Sequence, residues 1–386
     1  MTFEAGDPGL PAAIKPGLTV TQQRRLVYIS HQLGGYDGVS IEAAKWIHAL
    51  GGLGYTVTAA AGRLLSHNPI RAAAVLTLPA LWRPELAPGR FGQAPALTQS
   101  EIAAVLKAGG GRGGCAVLDN IATLPTATAN VVCLVAALEE AGMRMVVRHH
   151  DPDWDHHARG RDDRFPLNPR GACHVAISSH VGAQLRQRRG IHSNVLFNTL
   201  ELDTLLDGDR SACRRDFGFS DRDLVLLHPV TPYRRKQVEV AARFADSVCR
   251  RWDGRVVYWL TGAGRDPLEG RGRYIFHPGH CGSRADMYAA ADAVLLTSAW
   301  EGWGVPAAEA AALGLPVVTG RWPALADMRR LGLRDIPVSA PDAVSRLLAE
   351  VGGKAAHRVD EFRAALGGAG LADDLRDLLP KAGSPP

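Results

Sequence analysis

The chain has 386 residues, 46% hydrophobic and 22% charged, and its 44 basic against 39 acidic residues leave a net charge of +5. Such a length predicts two domains, each able to bury its own core, and the composition is that of a globular protein. It excludes a membrane-spanning helix, because no run of about 18 uninterrupted apolar residues occurs. Cys115, Cys133, Cys173, Cys213, Cys249 and Cys281 are scattered without a CxxC pair, which argues against a disulfide frame or a zinc site.

The first 22 residues read as a loose leader, with Pro and Gly where a signal peptide would need an apolar core, so a cytoplasmic location is expected. "RRLVYIS" (24–30) is a β-branched run that ends at "HQLGGYDG". "VSIEAAKWIHALGGLG" then carries apolar residues at helical spacing and "YTVTAAAG" returns to strand, which is a βαβ opening. "CAVLDN", "MRMVVRH" and "HVAISS" read as buried strands, and "TANVVCLVAALEEAG" as a helix stopped at Gly142. This alternation predicts a parallel sheet covered by helices on both faces.

The pattern pauses at "SNVLFNTLELDTLLDGDRSACRRDFGFS" and restarts with the strands "LVLLHP" (224–229), "RVVYWLTGAG" (255–264), "YIFHPG" and "DAVLLTS" (292–298). The domains are therefore placed at residues 1–206 and 207–370, with 371–386 a final helix and tail. The fold class is α/β, two Rossmann-like doubly wound domains facing a central cleft, and ligands of such sheets bind at the carboxyl ends of the strands. A nucleic-acid partner is not expected, because the basic clusters "LRQRRG" and "HHARGRDDR" lack interleaved aromatics. A dinucleotide-dependent oxidoreductase is not expected either, because no GxGxxG lies between a strand and a helix.

"AWEGWG" forms the loop at the carboxyl end of "DAVLLTS", and "VPAAEAAALG" a helix with Pro306 in its first turn and Gly314 as its stop. Gly302 and Gly304 let the backbone approach a ligand, and the free amides that open the helix attract anions such as phosphates. Glu301 and Glu309 fit as acceptors for sugar hydroxyls beside that anion.

This segment resembles the signature of the retaining glycosyltransferases of family 4, in which two glutamates separated by seven residues mark the nucleotide-sugar site. The resemblance covers roughly residues 24–380 and implies the GT-B fold, in which the last helix commonly crosses back to the first domain. It also implies that Glu301 contacts the hydroxyls of the transferred sugar and Glu309 those of the ribose. The amides of Gly304 and Val305 would face the region between sugar and diphosphate, with Gly302 and Trp303 beside them. The glycine turns at Gly34, Gly35 and Gly262 would also border the donor, although a plain tight turn accounts for Gly34 and Gly35 nearly as well.

Many family members place an arginine five residues before the phosphate-binding lysine. Counting back from Lys236 in "HPVTPYRRKQ" reaches Thr231, so Arg235 or Arg234 would supply that charge. Family members also carry a histidine at a first-domain strand end that reaches the donor sugar; His150 with Asp151 matches it, with His149 as the alternative. Adjacent on a strand end, the two rings should point to opposite faces, which is poor geometry for a shared metal. Asp37, Asn120 and Thr123 are weaker candidates on the acceptor side.

The expectation is a retaining hexosyltransferase that uses a nucleoside diphosphate sugar, a UDP-sugar in preference to a GDP-sugar, with no metal and no other cofactor. The acceptor would be a small molecule or a lipid, the latter met at a membrane surface. The alternative is a non-catalytic nucleotide-sugar-binding protein on the same scaffold.

Overall fold

The run "RLVYI" is apolar at almost every position, as a strand covered on both faces must be, and Leu26, Val27, Tyr28 and Ile29 are fully buried. They lie in the strand Arg24–Leu33, at the centre of the first domain. The computed structural model describes residues 24–379 except 84, 88–89, 92, 153, 155–161, 263, 280–281 and 352–357. The proposed leader and the end of the tail therefore lie outside the described residues, as do His156, His157 and Cys281.

In the first sheet, all parallel, the strands run in the order Ala74–Thr77, Tyr55–Leu64, Arg24–Leu33, Cys115–Asp119, Arg144–His149, Cys173–Ala176 and Asn194–Val195. The second sheet, also parallel, runs Ile275–Pro278, Val256–Leu260, Leu224–His228, Ala293–Leu296, Val317–Thr319 and Ile336–Pro337. Each order reverses beside its first strand. In the second sheet the reversal falls between Leu224–His228 and Ala293–Leu296, whose following loops carry Lys236 and Glu301. A doubly wound sheet opens its ligand crevice at such a point.

The chain crosses between domains more than once. Leu200 and Leu205 pack into the core of the second domain, and the Leu200 amide donates to the Leu366 carbonyl at 2.7 Å. The helix Ala343–Val351 stays with the second core through Ala343 and Leu347. The helix Leu371–Leu378 instead buries Leu371 and Leu375, followed by Leu379, against Trp46, Ile47 and Leu50 of the first domain. Among the described residues no helix is long and apolar enough to cross a membrane.

Candidate active site

The loop after Leu224–His228 tightens into a 3-10 turn, Arg234–Lys236, and Gln237 follows with φ +49 before the helix Val238–Cys249. This geometry turns Lys236 toward the next loop, where its Nζ donates to Glu301 Oε1 at 2.5 Å. Ser298 Oγ donates to the same oxygen at 2.6 Å. Arg235 approaches Glu301 Oε2 at 3.5 Å and donates to the Trp300 carbonyl at 3.2 Å, whereas Arg234 is exposed. Burial lowers the Lys236 amine from its usual range; Glu301 opposes that shift and Arg235 adds to it. Two cations and one carboxylate thus meet at the switch point of the second sheet. Gly262, at the end of the neighbouring strand, packs so closely on this loop that a Cβ there would lie 2.5 Å from the Val230 carbonyl oxygen.

Glu309 sits in the helix Val305–Ala312 and is 3% exposed. Tyr288 donates to its Oε2 at 2.6 Å and the Arg284 guanidinium lies 3.0 Å from its Oε1. Arg284 also reaches Glu201 at 3.3 Å. Gly304 opens the helix at φ +95, with the Trp322 ring against it. Trp303 is buried and stacked on Phe197 at 4.8 Å, so its ring belongs to the core and its backbone to the loop.

The first domain meets this loop directly. A Cβ on Gly302 would lie 2.9 Å from the carbonyl oxygen of His150, and one on Gly38 would lie 3.8 Å from Val305. His150 is 4% exposed, and its Nε2 lies 2.8 Å from Asp119 Oδ1. Asp119 also accepts from Tyr28 at 2.7 Å. Burial alone would raise the Asp119 carboxyl, but His150, Arg148 and Tyr28 hold it below the usual carboxylate range. Fully buried Arg148 continues the network to Glu42 at 3.1 Å and Asn198 at 2.9 Å, under the Trp46 ring.

His149 points elsewhere, to Thr123 Oγ1 and His174 Nδ1, each at 2.9 Å. Burial, then His174 and His150, push its pKa well below the ordinary value. Thr123 is therefore fully buried on this histidine pair rather than open to the cleft. Asn120 shapes the His150 turn: its Oδ1 accepts from the His150 amide at 3.2 Å and its Nδ2 donates to Asp151 at 2.6 Å. The Asp37 carboxylate caps the helix Gly38–Gly52, accepting from the Ser40 amide at 3.0 Å and from Gln32 at 2.9 Å. Gly34 has φ +77 and leaves no room for a Cβ, which would lie 2.0 Å from the Leu65 carbonyl oxygen; at Gly35 the nearest atoms belong to side chains. Among the described residues no group of three His, Cys, Asp or Glu side chains comes together to hold a metal ion.

Sequence reasoning missed Asp119, Arg284 and Tyr288. Asp119 could have been found, since it ends "CAVLD" one strand over from His150. The pairing of Arg284 and Tyr288 with Glu309 arises from two helices docking and leaves no local signal.

Residues 223–352 match the family described as Glycosyl transferases group 1. The chain has the GT-B fold. It is 30% identical over 198 residues to a D-inositol 3-phosphate glycosyltransferase from Actinosynnema mirum, covering 47% of this chain and 44% of the other. It is 25% identical over 138 residues to a mannosylglucosylglycerate synthase from Petrotoga mobilis, 32% of each chain. The chain thus spans less than half the length of these curated relatives. HepE from Anabaena, solved with UDP and glucose, superposes with a TM-score of 0.67 at 13% identity over 92% of this chain and 98% of that one. Sucrose-phosphate synthase from Thermosynechococcus elongatus gives 0.61 at 14% identity over the same shares, 92% and 98%.

Proposed function

We propose that the chain transfers a hexose from a nucleoside diphosphate sugar, with a UDP-sugar favoured, to a small-molecule or lipid acceptor, and retains the anomeric configuration. The observation that carries this reading is the convergence of Lys236, Arg235 and Glu301 at the switch point, directly facing the His150 turn of the other domain. Cations there oppose the negative charge that grows as the diphosphate leaves, so they stabilise the transition state more than the bound donor. Glu301, now paired with Lys236, would exchange that partner for the sugar's hydroxyls while the lysine takes the phosphate. Glu309 keeps lone pairs for the ribose, because Tyr288 and Arg284 occupy one oxygen each.

His150, oriented by Asp119, would meet the sugar from the first domain. In this reading the departing diphosphate accepts the acceptor's proton, and the protein's contribution is positioning and charge. Since cations of the chain itself meet the leaving group, a metal is not required. The likeness to group 1 glycosyltransferases over residues 223–352 supports the donor side of the reading.

The test is a thermal-shift screen against UDP-, GDP- and ADP-sugars, followed by proton NMR of early product from the donor that binds. A donor at one hundred times its dissociation constant should add about 2.7 kcal/mol of stability. The product should keep the donor's anomeric configuration, and an inverted linkage or the lack of any stabilising nucleotide sugar would overturn the proposal.

A further inference from the structure

A cavity of about 550 Å³ opens at the carboxyl ends of Val317–Thr319 and Ile336–Pro337, beside the Glu301 loop. Its wall is apolar at Trp322, Leu325 and Pro337 and polar at Arg321, Arg329 and Ser339. No carboxylate is among the lining residues. Arg329 is spent on Asp335, to which it donates twice at 2.7 Å. Arg321 is exposed and, among the described residues, has no ion pair. The cavity therefore holds one uncompensated guanidinium, in a volume suited to a small organic molecule rather than a bare ion.

We propose that this cavity binds a small phosphorylated compound, at a site separate from the diphosphate seat at Lys236. The guanidinium fork matches two phosphate oxygens at once, and Ser339 adds a hydroxyl donor. Trp322 and Pro337 offer flat apolar surface to a carbon skeleton attached to the phosphate. The cavity also shares walls with the donor loop. Gly320 packs on that loop so closely that a Cβ would lie 2.1 Å from the Ser298 carbonyl oxygen, and Ser298 is the residue that donates to Glu301. The Trp322 ring lies against Gly304, and its Nε1 donates to the Trp303 carbonyl at 3.1 Å. An occupant that presses on Trp322 would thus act on the loop through Gly304 and the Trp303 carbonyl.

Calorimetric titration tests the site without turnover, and so independently of the proposed activity. The Lys236→Ala protein is titrated with glucose 6-phosphate, inorganic phosphate and glucose, so that binding at the diphosphate seat does not contribute. Glucose 6-phosphate should bind, glucose should not, and adding Arg321→Gln should weaken binding by about tenfold or more. Exposed Arg234, changed to Gln instead, should leave that affinity unchanged. Inorganic phosphate binding as tightly as the sugar phosphate, and through Arg321, would support the site with free phosphate as its occupant. Lack of binding by either phosphate compound, or equal affinity with and without Arg321, would overturn the proposal.

Discussion

At the scale of single residues, the Lys236–Glu301 pair determines what each substitution would mean. Its side chains are 13% and 9% exposed, so removing the lysine leaves a largely buried carboxylate with Ser298 and with Arg235 at 3.5 Å. A charge-assisted hydrogen bond is worth roughly 1.5 to 3 kcal/mol, so Lys236→Ala should lower kcat/KM by about one to two decades. Arg235→Ala should follow closely and exposed Arg234→Ala should do less; near-normal kcat/KM in both of the first two variants would place the diphosphate elsewhere. Glu309 calls for a gentler change, because Glu309→Ala would leave half-buried Arg284 short of a partner. Glu309→Gln keeps an acceptor for Tyr288, and it should weaken UDP and intact donor alike, read by calorimetry. The buried histidines set a pH dependence. Burial lowers His174 to about 4, and burial with Lys236 lowers His228 to about 3. Below about 6.5 the unfolded chain therefore binds protons that the fold refuses, and stability must fall as pH drops toward these values. The unfolding midpoint should decline steadily from pH 6.5 to 4; a flat midpoint would show that both rings titrate freely in the native state.

At the scale of elements, the glycine loop is built for the other domain as much as for a ligand. Gly302 has the His150 carbonyl where its Cβ would be, 2.9 Å away, and that contact is backbone on both sides. A methyl group there cannot be absorbed by a flexible side chain, so the Glu301 loop and the His150 turn must separate by a few tenths of an ångström. Small misplacements of reacting groups cost rate far more than stability. Gly302→Ala should therefore lower kcat/KM about tenfold or more while the unfolding midpoint moves by only a few degrees. Gly34→Ala is the contrasting case, since φ +77 and the Leu65 carbonyl oxygen at 2.0 Å make it a stability defect first. Equal loss of midpoint in both variants would contradict this division between interface and turn.

At the scale of the whole molecule, the two-sheet plan was legible because parallel strands buried on both faces leave continuous apolar runs such as "LVLLH" and "VVYWL". Short elements were harder to see. The local signal for the helix Gln99–Ala108 is the capping box of Thr98 and Glu101, and the two-residue strand Asn194–Val195 has no pattern of its own. The Glu301 loop was legible because its chemistry is contiguous in sequence. The Tyr28–Asp119–Arg148–Glu42 network was not, because its members come from three strands and a helix and meet only after folding.

The same long-range logic applies to the final helix, whose apolar positions announce a packed face but not its partner. That partner is the helix Gly38–Gly52, so the last described turns of the chain complete the first domain after the second has been built. Leu375 is 1% exposed in that contact. Truncating a buried leucine to alanine costs about 2 to 5 kcal/mol, the larger figure where the surroundings cannot collapse into the cavity. Leu375→Ala should therefore destabilise the first domain, although the residue follows the second in sequence. Pulsed hydrogen exchange resolved by segment should show the loss of protection in residues 38–64, with 224–260 close to the parent protein. Loss confined to the second domain would mean that the terminal helix does not hold the first domain together.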